Sequence, residues 1–156
     1  LLSENFQVVH FSGHGVQGGL IFEDESGNSR LVSRQAFAEL LASYSPPLEA
    51  VIFNSCFTGS QGEIAAELGI PYTIAMPTQI IDDAAIEFTR GFYDAIGAGK
   101  NFEFAYEEGC RNIKLMGFIT TQIPTIYKRD DQQKMSPVQM TFLWQRDQLC
   151  QKVVAT

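Results

Sequence analysis

Two short apolar runs, each ending in small turn-forming residues, constrain this chain most. Val8-Val9-His10-Phe11-Ser12 leads into Gly13-His14-Gly15, and Ala50-Val51-Ile52-Phe53-Asn54-Ser55-Cys56 leads into Phe57-Thr58-Gly59. Both runs are rich in β-branched and aromatic residues and too short for a helix, so they read as buried strands. Parallel neighbours in an α/β sheet present their carboxyl ends on one edge, where such folds place ligands. One strand then delivers the imidazole of His14 to that edge, and the other delivers the thiol of Cys56. A cysteine nucleophile and its base require that pair.

The rest of the chain alternates in the same way. Leu1 to Asn5 reads as the tail of a preceding helix or its loop, and Val16 to Gly19 as a flexible loop. Leu20 to Glu23 reads as a short strand, followed by a turn over Asp24 to Asn28. Ser33 is placed to cap a helix whose inward stripe is Phe37, Leu40, Leu41 and Tyr44, with Pro46-Pro47 stopping it. Ser60-Gln61-Gly62-Glu63 has capping-box spacing and opens a helix that Gly69 closes. Tyr72 to Met76 reads as a third core strand. Asp82 or Asp83 is expected to cap the next helix, with Ala85, Phe88, Phe92 and Ile96 facing inward and Gly97 and Gly99 ending it. Asn101 caps a further helix through Ala105, Tyr106, Ile113 and Met116. Gln122 to Tyr127 reads as a last strand before a polar tail. Strand alternating with helix makes the class α/β with a largely parallel sheet.

Length and composition bound the function. A chain of 156 residues with 45% hydrophobic and 19% charged residues is sized for one soluble domain with a real core. A formal net charge of −7 argues against nucleic-acid phosphates or an anionic membrane as direct partners. No apolar run approaches membrane-spanning length, and the opening residues do not read as a signal-peptide pattern. The 3 cysteines supply no disulfide framework and suit a reducing, cytoplasmic compartment. The chain opens on Leu1, as expected of a processed or trimmed piece of something longer.

Among the candidate residues, Cys56 ends a strand after small Ser55 and precedes a turn, whereas a lone cysteine is otherwise a small apolar core residue. Cys110 within a helix and Cys150 in the tail read as structural. His14, between two glycines, has room for its ring and lets the backbone pass close to a substrate. The amides of Gly15 and Cys56 are available to a developing oxyanion. His10, inside the strand, reads as a satisfied core histidine. Asp82 and Asp83 are by default a solvated helix start, but they follow the third strand and reach the same edge. His10 and His14 lack a shared helix face and the glutamate of a zinc HExxH motif, and no CxxC pair exists, so no metal is expected. The glycines around His14 lack GxGxxG spacing and a P-loop lysine, so no phosphate loop is expected either.

Taken together, Val9 to Gly15 and Val51 to Gly59 resemble the CHAT domain family of caspase-like cysteine peptidases. A third block extends the likeness: Ile81 to Phe88 with Gly91-Phe92-Tyr93, then Ala98-Gly99-Lys100 and Ala105. Ile123 to Tyr127 resembles that family's closing strand. The resemblance implies a caspase-like three-layer α/β sandwich with a mostly parallel sheet. Such domains carry one or more strands before the histidine strand, and these are expected on a separate or removed segment, leaving an exposed sheet edge. Residues 1–127 would form the C-terminal portion of the peptidase domain, and residues 128–156 an extension packing on it or trailing from it.

The resemblance further implies peptide-bond hydrolysis with Cys56 as nucleophile, His14 as base and acid, and the Gly15 and Cys56 amides as oxyanion hole, without a cofactor. Relatives that cut after basic residues carry an aspartate two positions before the cysteine, where this chain has Asn54. Asn54, Asp82 and Asp83 are the expected substrate-binding residues. The expected partners are a protein or peptide substrate and a regulatory or sensor domain in the same parent protein or complex, in a prokaryotic signalling or defence system. A peptide-binding or scaffold module without turnover is the alternative. A redox sensor would need a resolving cysteine that the sequence does not place near Cys56.

Overall fold

A computed structural model describes residues 6–44, 46–118 and 123–129, together with the backbone of two further strands at 141–144 and 151–154. The central strands are β1 (Val8–Ser12), β5 (Ala50–Asn54) and β6 (Tyr72–Ala75), all parallel. Register pairs Val8 with Ala50 and Ser12 with Asn54, so the two runs that dominate the sequence end side by side. The antiparallel β7 (Thr125–Lys128) borders β6. On the other side β9 (Gln151–Val154) runs antiparallel to β1, and β8 (Thr141–Trp144) pairs with β9, giving the order β7-β6-β5-β1-β9-β8. Residues 151–154 therefore lie along the edge of β1 that the sequence reading leaves open.

Alternation along the strands sends successive side chains to opposite faces. Val9, Phe11, Val51, Phe53 and Ala75 join Phe37 and Leu41 of α1 (Arg34–Ala42) and Ala65 of α2 (Gly59–Glu67) in one apolar cluster. Val8, Ala50, Ile52 and Ile74 join Phe88 and Phe92 of α3 (Asp82–Gly97) and Phe102 and Ile113 of α4 (Phe102–Leu115) in the other. The result is the expected three-layer sandwich. Each fully buried phenylalanine or isoleucine contributes about 1.5–3 kcal/mol, so both helix layers are held chiefly by these stripes. Helices α3 and α4 approach closely because each places a glycine, Gly91 and Gly109, at the crossing. A Cβ on Gly109 would stand 2.6 Å from the Phe88 ring, and one on Gly91 2.9 Å from the Glu108 carbonyl oxygen.

Local expectations met mixed outcomes. Ser33 caps α1, accepting from the Ala36 amide at 3.2 Å, and Asn101 caps α4, accepting from Phe104 at 2.9 Å. Gly69 ends α2 with φ +101°, a conformation that favours glycine. Leu40, expected in the inward stripe of α1, is exposed. Helix α2 starts at Gly59 rather than after Ser60, because Thr58 occupies the N-cap and its hydroxyl is engaged elsewhere. Helix α3 is capped by Ile81, and Asp82 and Asp83 lie in its first turn instead, where their charge favours the helix dipole. The expected short strand at Leu20 to Glu23 is β3 (Gly19–Glu23), but its partners β2 (Gly15–Val16), within the expected loop, and β4 (Ser29–Ser33) were not read; the three form an antiparallel meander beside His14. The last strand spans Thr125–Lys128, shifted from the expected one. Leu1 to Asn5, Gln122 and Cys150 lie outside the described residues. Among the described residues no helix is long and apolar enough to cross a membrane.

Candidate active site

Beyond β1 the chain turns through Gly13-His14-Gly15 and enters the small meander, where the His14 carbonyl accepts from the Ile21 amide at 2.9 Å. Beyond β5 it turns through Ser55-Cys56-Phe57 into α2. The two turns touch. A Cβ on Gly15 would lie 2.0 Å from the Cys56 carbonyl oxygen and 2.6 Å from Ser55 Oγ. No other residue allows that approach, so Gly15 sets how closely the histidine turn meets the cysteine turn.

The cysteine turn is strained and pinned. Phe57 has φ +58°, left-handed for a bulky residue, which costs about 1–3 kcal/mol and persists only where the surroundings enforce it. Thr58, fully buried, does the enforcing. Its hydroxyl lies 2.8 Å from the Ser55 carbonyl and 3.3 Å from that of Phe53, and it accepts from the Met76 amide at 3.0 Å. Backbone amides of Thr58 and Gly59 donate to the Met76 carbonyl at 2.8 and 3.1 Å. The end of β6 thereby holds the turn that carries Cys56.

The turns open into a cavity of about 520 Å³ at the carboxyl edge of β1 and β5, roofed by the segment before α3 and by its first turns. His14, Gly15, Cys56, Asn54 and Asp82 all line it, as do His10, Ser12, Ser55, Gln79, Ile80, Ile86 and Thr89. Asp83 is not among the lining residues and is exposed. His14 is exposed and Cys56 half-buried. The Cys56 thiol donates to the Ile80 carbonyl at 3.6 Å, and no hydrogen bond joins Cys56 to His14 among the described residues. The Cys56 amide donates to no backbone carbonyl among the described residues. His14 and Cys56 thus border one cavity.

Two residues that line the cavity each keep an unpartnered buried atom. His10 is buried as expected but only half satisfied: Nδ1 lies 2.9 Å from the Tyr93 hydroxyl, while Nε2 has no partner. Burial lowers its pKa to about 3, so the ring is neutral. Asn54 donates to the Ala85 carbonyl at 3.3 Å and to Thr89 Oγ1 at 2.9 Å, and its Oδ1 is unpartnered. Ala85, Thr89 and Tyr93 are spaced by four and form one stripe of α3, the only sequence signal that could have marked Thr89 and Tyr93. Cys110 is buried, away from the cavity, and burial raises its pKa. Among the described residues no group of three or more His, Cys, Asp or Glu side chains is arranged to hold a metal.

Fold and site define a class: an α/β sandwich presenting an imidazole and a thiol on adjoining turns at the carboxyl edge of neighbouring parallel strands. The family model of the CHAT domain matches residues 1–108, more than half of the chain. The chain belongs to the CHAT domain family. It is also similar to a Roc-COR-CHAT protease from an unknown prokaryotic organism, 22% identical over 138 residues. That match takes in 80% of this chain and 13% of the relative, so the chain spans a small part of the protein it resembles. The family match and a relative named as a protease support a peptidase family.

Proposed function

We propose that this domain is a cysteine endopeptidase acting through Cys56 and His14. The observation that supports the reading is the close fit of the two turns through Gly15, beside a cavity that His14 and Cys56 both line. In the resting arrangement the thiol faces the Ile80 carbonyl, and it turns toward His14 before it reacts. His14 then takes the thiol proton as the sulfur bonds to the scissile carbonyl carbon. The carbonyl oxygen becomes an oxyanion that accepts from the amides of Gly15 and Cys56. Collapse expels the amine, which takes its proton from His14, and leaves a thioester on Cys56. Water, deprotonated by His14, hydrolyses the thioester, releasing the carboxylate and restoring the thiol. No cofactor enters these steps. Asn54 and Asp82 line the substrate cavity, and Asp83, one residue further on, contributes charge near its mouth.

The need to turn the thiol from Ile80 also supports control from outside the domain. The named relative joins its CHAT domain to Roc and COR. The parent of this chain is proposed to work in the same manner, cutting a specific protein partner in a prokaryotic cytoplasm under a fused or associated sensor module, in signalling or defence. The segment from Thr78 to Ile81 is where such a signal would act.

Peptide-library cleavage by the parent protein, beside Cys56→Ala and His14→Ala, tests the reading. Cleavage lost in both variants is expected. Cleavage that survives either substitution overturns the dyad, and partner binding without any cleavage favours a peptide-binding module.

A further inference from the structure

Two large apolar side chains stand exposed at the cavity that Cys56 lines. Phe57, on the cysteine turn, is 40% exposed, Ile86, on α3, is 54% exposed, and both line that cavity. Neither belongs to the apolar clusters that hold the two helix layers. Single exposed apolar residues are ordinary, but a pair bordering one concave space marks a binding surface.

The residue at position 57 is the stronger observation. Its φ of +58° is one that glycine or asparagine adopts readily and a bulky side chain does not. The turn therefore asks for glycine or asparagine, and the chain places there a phenylalanine that joins neither core cluster. Strain of this kind collects at ligand sites. On α3, Asp82, Ala85, Ile86 and Thr89 follow the i, i+3, i+4, i+7 spacing of one helix face, and all four line the cavity. Phe88 and Phe92 pack in the core instead. Ile80, which is buried, adds to the apolar lining. Among the described residues no lysine or arginine lines the cavity, so an acidic side chain would meet Asp82 without a cation to offset it.

We propose that Phe57 and Ile86 form an apolar lip that takes a large apolar side chain of the substrate, from one of the two residues flanking the cut bond. The inference rests on the peptidase reading for its place beside that bond. Packing such a side chain against the lip removes apolar surface of substrate and enzyme from water together.

The test keeps its failure apart from failure of that reading. In the parent protein, two peptide series each vary one flanking residue among leucine, phenylalanine, serine, lysine and glutamate. In one series leucine or phenylalanine should be cut at least about tenfold faster than serine, lysine or glutamate. Ile86→Ser and Phe57→Asn should each lower the leucine-to-serine ratio at least about fivefold. Phe57→Asn should do so while unfolding at the same or a higher urea concentration, because asparagine accepts the left-handed backbone. A parental ratio in either folded variant, or no preference for apolar residues in either series, overturns the proposal and leaves the peptidase standing. Should Phe57→Asn fail to fold, Ile86→Ser decides alone. If no peptide is cut, isoleucine methyl NMR of Cys56→Ala decides, with the Ile86 signal assigned through Ile86→Ser. N-acetylleucine amide should shift that methyl saturably while N-acetylserine amide does not. No shift, or an equal one from both, overturns the proposal.

Discussion

Replacing Gly15 by alanine tests the contact on which the site depends. The added methyl would stand 2.0 Å from the Cys56 carbonyl oxygen and 2.6 Å from Ser55 Oγ, against ordinary contact from 3.4 Å upward. The Ser55 hydroxyl can rotate aside, but the carbonyl is backbone. Restoring contact therefore needs the two turns to separate by about 1.4 Å (3.4 less 2.0). Overpacking of this kind costs about 1–3 kcal/mol. A 1 Å misplacement of reacting groups costs on the order of a hundredfold in rate. Gly15→Ala should thus lower stability in urea by that amount and reduce turnover by about a hundredfold. Gly97→Ala is the control: nothing lies within 4 Å of its Cβ, at the end of a helix. It should be neutral or stabilising by about 0.4–1 kcal/mol. A Gly15→Ala protein with parental stability and turnover would refute the idea that the turns meet there.

Thr58→Val removes a buried hydroxyl while the Met76 amide that donates to it remains buried, so urea denaturation should show a loss of about 1–3 kcal/mol and Thr58→Ser much less. Gly109→Ala should cost about 1–3 kcal/mol by driving a methyl into Phe88 on α3, read by thermal melting. His10, with its folded pKa lowered to about 3 from 6.5, binds its proton in the unfolded state first. Its contribution is therefore complete above pH 6.5 and shrinks as pH falls toward 3, by up to about 1.4 kcal/mol per pH unit. Denaturation between pH 7 and 5 should show this slope, and His10→Gln should flatten it.

The sheet and the edge where its two turns meet were legible because β1 and β5 are buried and read as short, mostly apolar runs. Asn101 and Ser33 announced their helices through cap chemistry that acts within three residues. The same logic misplaced the start of α2, because Thr58 spends its hydroxyl on Ser55, Phe53 and Met76, a partner reached only through the fold. Strand β4 was invisible, since Ser29 to Ser33 is mostly exposed and its apolar pair, Leu31 and Val32, breaks alternation. His10 looked like a satisfied core histidine. Its free nitrogen depends on Tyr93, far away in the chain. The contact of Gly15 with Cys56 is likewise tertiary, although the glycine itself was flagged.

The central claim is that peptide hydrolysis passes through a covalent bond to Cys56. Rapid quenching of the parent protein with a cleaved peptide, followed by mass spectrometry, tests it most directly. A Cys56 adduct with the mass of the N-terminal product less one water is expected, absent from Cys56→Ala, which also fails to turn over. Cleavage without any such adduct, persisting in Cys56→Ala, would contradict it.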